Sequence, residues 1–148
     1  MPIEMIRGDL LESDCNILIH QANCFHTMGA GIALALRKRW PKVFEADKKS
    51  KKGDEGKLGT FTVANVADSK WVVNLYAQHR YGRDRRYTNY DALSDGLKAI
   101  SLRLNERNSS LKVGMPKMGC YNAGGSWTIV KAIIEDAFPH RTVYVYYL

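Results

Sequence analysis

Short apolar runs rich in β-branched residues alternate along the chain with longer stretches in which apolar residues recur at helical spacing. The short runs predict six strands, at residues 3–7, 16–20, 59–64, 71–76, 112–115 and 142–147. The longer stretches predict four helices, at residues 31–39, 42–51, 90–106 and 127–138. Thr88 or Asn89 is expected to cap the third helix and Ser126 the fourth, because each offers an oxygen to unpaired helix amides. Such alternation is typical of an α/β domain.

The length and composition indicate a single ordered domain. The chain has 148 residues, of which 45% are hydrophobic and 25% charged, and it contains no repeat or low-complexity segment. This length fits a single domain over residues 1–148 with a substantial core. No run approaches the ~20 apolar residues that cross a bilayer, so no membrane partner is expected. The N-terminal residues do not resemble a secretory signal, and the three cysteines contain no CxxC pair, so we expect reduced thiols and a cytoplasmic location.

Positive charge is concentrated in two stretches. The formal net charge is +7, which favours an anionic partner. Lysines cluster at residues 48–52 and arginines at residues 80–86, and two tyrosines flank or interleave with the arginines. A solvated surface accounts for the lysines, which follow a predicted helix whose dipole they complement. The arginine stretch is equally consistent with a solvated surface and with a nucleotide-binding or nucleic-acid-binding surface.

Two glycine-rich loops follow predicted strands and precede predicted helices. Gly29-Ala30-Gly31 leads directly into the first helix, and residues 119–125 lead into the fourth. A backbone without bulky side chains is thereby brought to a helix N-terminus, where unpaired amides attract anions. One such loop alone would fit a tight turn with close helix packing. Two at the same sheet edge predict a site that grips both sides of a diphosphate.

These loops match neither common phosphate-binding motif, because GxxxxGK[ST] is absent and the first loop does not provide GxGxxG. The chain instead resembles the macrodomain family over nearly its whole length. The resemblance rests on Ile6-Arg7-Gly8-Asp9-Leu10, on Ile19-His20-Gln21-Ala22-Asn23, on Met28-Gly29-Ala30-Gly31-Ile32-Ala33, and on the stretch from Met115-Pro116 to Gly125. It implies a three-layer αβα sandwich with a central mixed six-stranded sheet, and ADP-ribose or a derivative as ligand.

The same resemblance assigns roles to individual residues. Asp9 matches the carboxylate that accepts the adenine amino group, although Asp9 and Glu12 also have the spacing of a helix capping box. Asn23 matches the asparagine near the distal ribose, and Tyr121 either packs on that sugar or is an exposed loop aromatic. The full expected ligand-binding set is Gly8, Asp9, Leu10, Ala22, Asn23, Met28, Gly29, Ala30, Gly31, Ile32, Pro116, Met118, Gly119, Cys120, Tyr121, Asn122, Ala123 and Gly124.

Two branches of the family suggest different chemistry. One hydrolase branch uses a lysine after the fourth strand and an aspartate in the second loop, where this chain has Gln78 and Ala123. Neither residue can act as a nucleophilic amine or a base. A phosphatase-like branch has a histidine where this chain has His20. His20, His79 and Asn23 are therefore the expected catalytic residues, with a satisfied core histidine as the alternative for His20.

The resulting hypothesis is a hydrolase that acts at the distal ribose without a cofactor or a metal, because His20, Cys24 and His26 lack the spacing of a structural zinc site. ADP-ribose 1″-phosphate is the first expected substrate. The alternatives are a glycohydrolase acting on ADP-ribosylated protein or nucleic acid, a non-catalytic ADP-ribose reader, and a basic nucleic-acid-binding domain.

Overall fold

A computed structural model describes residues 3–107 and 110–148. Within these residues it contains the six predicted strands and the four predicted helices. The strands are β1 Ile3–Arg7, β2 Ile17–Asn23, β3 Phe61–Ala67, β4 Lys70–Gln78, β5 Val113–Pro116 and β6 Val143–Tyr147. The helices are α1 Gly31–Arg39, α2 Pro41–Lys48, α3 Tyr90–Glu106 and α4 Trp127–Ala137. Two short 3₁₀ turns lie at Leu10–Glu12 and Glu55–Lys57.

Several boundaries differ from the prediction. β2 and β4 both run further, because their parallel pairing continues to Asn23 and Gln78. β3 begins at Phe61 because Gly59 has a φ of +85° and Thr60 donates its amide to Lys57 in a turn. Helix α2 stops at Lys48, three residues before its predicted end.

The sheet has the strand order β1-β6-β5-β2-β4-β3. β3 pairs antiparallel with β4, while the other four pairings are parallel. The carboxyl ends of β1, β2, β4, β5 and β6 therefore lie along one edge of the sheet. Both glycine-rich loops follow strands that end there, and β2 and β5 are direct neighbours.

Apolar side chains cover both faces of the sheet. One core cluster joins the sheet to α3 and α4 through residues such as Leu93, Leu97 and Ile134. The other joins the opposite face to α1 and α2 through Leu36 and Val43. This arrangement confirms the predicted three-layer αβα sandwich with a mixed six-stranded sheet. Among the helices that the structure describes, none is long and apolar enough to cross a membrane.

The helix caps follow the prediction only in part. Asn89 caps α3, because its side-chain oxygen accepts the Ala92 amide at 3.0 Å. Thr88 instead donates its hydroxyl to the Gly119 carbonyl at 2.8 Å. Ser126 occupies the N-cap position of α4 but its side chain makes no cap bond. Its amide donates to the Tyr90 hydroxyl at 2.9 Å, so the prediction of a Ser126 side-chain cap is wrong.

Candidate functional site

The first glycine loop, residues 24–30, carries unusual backbone geometry up to the start of α1. His26 and Met28 have φ values of +58° and +39°, and Gly31 has +54°. Non-glycine residues rarely adopt such values, and they cluster at functional sites. Ala30 is the N-cap of α1 and provides no side-chain cap. The first amides of α1 are therefore available to an anion.

Asn23 holds the start of this loop. Its side-chain oxygen accepts the Phe25 amide at 2.8 Å, and its side-chain amide donates to the Thr27 hydroxyl at 2.6 Å. Both bonds lie within the loop, so Asn23 fixes the direction in which the chain leaves β2.

The second glycine loop, residues 117–126, folds back on itself. Gly119 and Gly124 have φ values of +69° and +73°, and the Gly125 amide donates to the Gly119 carbonyl at 2.6 Å. A Cβ atom on Gly119 would lie 2.5 Å from the Thr88 hydroxyl oxygen and 2.7 Å from the Gln21 side-chain oxygen. Only glycine fits there, because any side chain would collide with these neighbours.

The two loops approach each other at the sheet edge. A Cβ atom on Gly31 would lie 3.8 Å from the side-chain nitrogen of Asn122. Asn122 is exposed, and Tyr121 beside it is 68% exposed. The loops thus form two walls, one ending in helix amides and the other carrying exposed polar and aromatic side chains.

Asp9 follows β1 at the same edge. One carboxylate oxygen accepts the Leu11 amide at 3.0 Å, so Asp9 caps the 3₁₀ turn Leu10–Glu12. The reciprocal half of a capping box is absent, because the Glu12 carboxylate accepts from Arg39 at 2.5 Å. Asp9 itself is exposed. The cap uses one oxygen of this exposed carboxylate, so both roles considered for Asp9 are compatible.

His20 lies inside the core rather than at the edge. It is 0% exposed, and its Nε2 lies 2.5 Å from the Asn74 side-chain oxygen. Since that oxygen can only accept, Nε2 carries the proton and donates it. Burial lowers the pKa of His20 and keeps the ring neutral. The geometry is that of a buried core histidine bonded through Nε2, while its buried Nδ1 has no hydrogen-bond partner among the described residues. It does not support His20 as a catalytic residue that touches substrate.

A buried polar network continues from His20 to the underside of the first glycine loop. Each member contacts the next within 3.2 Å. It includes a bond of 2.7 Å from the Tyr76 hydroxyl to the buried Asp47 carboxylate. The network supports the loop from inside, through His26. In order of contact, its members are His20, Asn74, Thr62, Tyr76, Ser50 and His26.

His79 is closer to the candidate site. Its side chain is 22% exposed, and its Nε2 donates to the Gly53 carbonyl at 3.1 Å. Its ring packs at 5.0 Å, between centroids, against Phe25 of the first glycine loop. His79 therefore lies beside the loop, with Nε2 bonded to Gly53 and Nδ1 3.7 Å from a carboxylate oxygen of Glu55.

Comparison with known proteins identifies the family. The model of the Macro domain matches residues 19–134. This chain belongs to the macrodomain family. The resemblance seen in the sequence is thereby confirmed.

Individual relatives agree with this assignment. The chain is 34% identical over 145 residues to an uncharacterised 17.5 kDa protein of Enterobacteria phage T4, covering 91% of this chain and 89% of that one. It is 30% identical over 134 residues to the DNA ADP-ribosyl glycohydrolase of Mycobacterium tuberculosis, covering 88% of this chain. It spans only 37% of the length of that glycohydrolase. The solved macrodomain of Mycobacterium tuberculosis DarG superimposes with a TM-score of 0.82 at 27% identity, covering 97% of this chain and 96% of that one.

Gln78 and Ala123 are held by hydrogen bonds in this macrodomain. The Gln78 side chain accepts from Gln21 at 2.9 Å and donates to the Arg80 carbonyl at 2.9 Å. Ala123 is buried, and its carbonyl accepts the Tyr87 amide at 2.8 Å. Ala123 joins the second glycine loop to the chain after β4, whereas Gln78 joins the end of β4 to Gln21 of β2. Neither residue offers an ionisable group.

The thiols near the macrodomain site are not nucleophiles at neutral pH. Cys24 is fully buried, and burial raises its pKa. Burial also raises the pKa of Cys120, to about 11. A thiol acts as a nucleophile only when it is ionised. Within the described residues, no three His, Cys, Asp or Glu side chains lie close enough together to hold a metal ion.

The arginine segment, residues 80–86, lies beside the second glycine loop. A Cβ atom on Gly124 would lie 3.2 Å from the Arg85 carbonyl oxygen and 3.2 Å from the Arg86 Cα. The segment's four arginines are exposed, and Tyr81 is exposed among them. The macrodomain thus presents a basic surface directly next to its glycine loops. The arginines are Arg80, Arg83, Arg85 and Arg86.

The remaining expected ligand residues divide by burial. Leu10, Ala22, Met28, Met118 and Ala123 are buried, so only their backbone could reach a ligand in this arrangement. A second group is exposed on the two loops. Its members are Gly29, Ala30, Gly31, Tyr121, Asn122 and Gly124. The third group is half-buried. Its members are Gly8, Ile32, Pro116, Gly119 and Cys120.

Sequence reasoning missed three residues that hold the site together. Gln21 donates to the Thr88 hydroxyl at 3.0 Å, and Thr88 in turn holds Gly119. Lys57 is buried, donates to the Cys24 carbonyl at 3.2 Å, and lies 4.4 Å from the centre of the Tyr76 ring. Burial lowers the pKa of this lysine. The polar Gln21 within a buried strand was the one available signal, because Lys57 resembles any surface lysine in the sequence.

Proposed function

We propose that this macrodomain binds ADP-ribose between its two glycine loops and hydrolyses a bond at the distal ribose. One observation carries the proposal. Gly31, at the uncapped start of α1, faces Asn122 across the sheet edge, with 3.8 Å between a Cβ at Gly31 and the Asn122 nitrogen. Free helix amides on one wall and a glycine-rich backbone on the other suit a diphosphate.

The rest of the ligand fits around this diphosphate. The exposed Asp9 carboxylate, at the end of β1, would accept the adenine amino group. A hydrogen bond to a charged acceptor is among the stronger ones. Asn23 and Tyr121 border the two loops, where the distal ribose would lie. The names of the relatives, which include DNA ADP-ribosyl glycohydrolases, support hydrolysis at that sugar.

The first candidate substrate is ADP-ribose 1″-phosphate. A water oxygen would bond to phosphorus as the ester bond to the ribose oxygen breaks, and a proton would pass to that oxygen. Amides of the second glycine loop would stabilise the developing negative charge. His79, which is half-buried at this edge, would move the proton. Such acid–base help is typically worth ~10²–10⁴ in rate. Gln78 cannot supply the amine that the other branch of the family uses.

An ADP-ribosyl adduct on a nucleic acid is the second candidate substrate. The exposed arginine segment beside the second glycine loop favours it, because arginines and interleaved tyrosines bind phosphates and stack on bases. In this case the water oxygen would bond to C1″ as the bond to the base breaks, and the base would take the proton.

Turnover assays separate these possibilities. The two substrates are ADP-ribose 1″-phosphate and an ADP-ribosylated single-stranded oligonucleotide. Each would be assayed in the presence of EDTA with wild type, His79→Ala, Asn23→Ala and His20→Ala. We expect the wild-type protein to turn over one of these substrates. His79→Ala should turn over that substrate at least ~100-fold more slowly while binding ADP-ribose with equal affinity. His20→Ala should change stability more than rate. Tight ADP-ribose binding without turnover of either substrate would contradict the hydrolase and leave a reader.

A further inference from the structure

The outer strand β3 has a free hydrogen-bonding edge. β3 lies at one end of the sheet and pairs only with β4 in the described part of the chain. The Tyr76 amide donates to the Thr60 carbonyl at 3.0 Å, which fixes Thr60 and Tyr76 as a bonded pair. Bonded and non-bonded pairs alternate along antiparallel strands. Phe61 and Val63 therefore direct their amides and carbonyls away from β4.

Cavities flank this edge on both faces of the sheet. On the α2 side, a cavity of about 510 Å³ is bordered by Lys42, Glu45 and Lys49 together with residues 62–65. On the α3 side, a cavity of about 580 Å³ extends under α3, and its apolar lining includes Ile17, Trp71 and Leu104. Val63, between them, is 45% exposed. A strand added to β3 would send alternate side chains into these two cavities, because successive residues point to opposite faces.

The charges around the edge select one kind of partner. Lys42 and Lys49 border the α2-side cavity with a single acid, Glu45. Arg103 and Arg107 border the α3-side cavity, and the Arg103 guanidinium lies 5.3 Å from the centre of the Phe61 ring. All four cations are exposed. A second copy of this chain would bring like charges together across the edge, whereas an acidic segment would meet opposite charges.

We propose that β3 binds an extended acidic peptide as a further antiparallel or parallel strand of the sheet. Its acidic side chains face Lys42 and Lys49 on the α2 side, and its apolar side chains enter the α3-side cavity. Main-chain hydrogen bonds to Phe61 and Val63 provide affinity, and the two cavities provide specificity, as in other cases of strand addition. This surface belongs to β3, α2 and α3 and does not depend on the proposed ADP-ribose site.

The test uses labelled nine-residue peptides in which Glu alternates with Val or Phe, with matched peptides in which Lys replaces every Glu. Fluorescence anisotropy should show binding of the acidic peptide at least about tenfold tighter than that of the lysine peptide. The double variant Lys42→Glu/Lys49→Glu should weaken acidic-peptide binding about tenfold. Lys51→Glu/Lys52→Glu makes the same charge change at exposed lysines outside the cavities and should leave binding within about twofold.

A second measurement follows the edge directly. Amide hydrogen exchange at Val63 should slow by at least about tenfold when the acidic peptide is added, while exchange at Thr62, already bonded to β4, stays unchanged. Val63→Pro removes an outward amide, and with it the valine side chain beside the cavities, without removing a hydrogen bond to β4. It should abolish binding. If neither peptide binds, or if binding leaves Val63 exchange unchanged, the proposal is wrong. Dimerisation of the protein alone that Val63→Pro abolishes would also overturn it, in favour of a second copy.

Discussion

Gly31 and Asn122 lie opposite each other, although one begins helix α1 after β2 and the other lies in the loop after β5. A methyl group on Gly31 would be 3.8 Å from the Asn122 side-chain nitrogen. The parallel pairing of β2 and β5 produces this approach, because both strands end at the same edge. Two segments that are each ordinary turns in isolation thereby form the two walls of one site.

Substitution of Gly31 separates occlusion of the site from backbone strain. Gly31→Glu should abolish ADP-ribose binding, because a bulky carboxylate would occupy the cleft and repel a diphosphate. Gly31→Ala should destabilise the fold by about 1 kcal/mol, since alanine disfavours a φ of +54°, while retaining measurable binding. Calorimetric titration and thermal unfolding of both variants provide the comparison. A folded Gly31→Glu protein with wild-type affinity would place the diphosphate elsewhere.

Asp9 can be tested apart from its capping role. Asp9→Ala should weaken ADP-ribose binding about 10- to 100-fold, as expected for loss of a hydrogen bond to a charged group. Asp9→Asn retains an oxygen for the Leu11 amide and should keep wild-type stability, yet it should still bind ADP-ribose more weakly. Titrations of both variants, with melting curves as the stability control, are the measurement. Wild-type affinity in both would remove Asp9 from the adenine site.

The second glycine loop should tolerate no side chain at Gly119. Gly119→Ala places a Cβ within 2.5 Å of the Thr88 hydroxyl oxygen and should destabilise the protein by ~1–3 kcal/mol. Gly29→Ala is the matched control, because its Cβ would lie at an ordinary contact distance, 3.7 Å, from the Thr27 carbonyl oxygen. It should change stability by less than ~0.5 kcal/mol. Urea denaturation measures the free energy of unfolding of both variants. Equal values would mean that Gly119 is not packed against Thr88.

The buried His20 should make stability depend on acid. Burial lowers its folded-state pKa below the ordinary 6.5, so the unfolded chain binds a proton that the folded chain resists. The contribution of neutral His20 to the free energy of unfolding is therefore fully present above about pH 6.5. It is lost as the pH falls below that value, with a slope of at most about 1.4 kcal/mol per pH unit. Urea denaturation at pH 7.5 and 5.5 measures this dependence.

The matched variants for this acid effect are His20→Gln and His140→Gln. A glutamine at residue 20 can donate to Asn74 but does not titrate, so its stability should fall less between pH 7.5 and 5.5. His140 is exposed, and its replacement should leave the wild-type pH dependence intact. An identical pH dependence in wild type and His20→Gln would contradict the burial of a neutral His20.

Periodicity predicted the elements well, because each strand and helix has an apolar pattern of its own. Apolar runs 17–19 and 72–73 mark β2 and β4, and Asn89 is a recognisable cap. The pattern could not place the ends of β2 and β4, since Asn23 and Gln78 are polar and stay in the strands through mutual pairing. It likewise missed the turn at Gly59, where a φ of +85° delays β3.

The sequence predicted the backbone features of the site but not the directions of its side chains. Glycine loops after strands indicated a phosphate-binding edge, because glycine's conformational freedom is visible in the sequence itself. The direction of a side chain in a strand is not visible in the same way. His20 and Gln21 are adjacent, yet His20 bonds to Asn74 in the core while Gln21 reaches Thr88 beneath the second glycine loop. Which one faces the site depends on the pleat and on neighbours distant in sequence.

Calorimetric titration of the wild-type protein with ADP-ribose tests whether the cleft between the two glycine loops is a nucleotide-binding site. We expect saturable binding of one ADP-ribose per chain, with an affinity that changes little between 50 and 200 mM salt. Any affinity for single-stranded nucleic acid should instead fall steeply over that range, by roughly 10³-fold or more for six or more phosphate contacts. Folded Gly31→Glu should not bind ADP-ribose. If the wild-type protein does not bind ADP-ribose and shows only a salt-dependent affinity for nucleic acid, the cleft is not an ADP-ribose site.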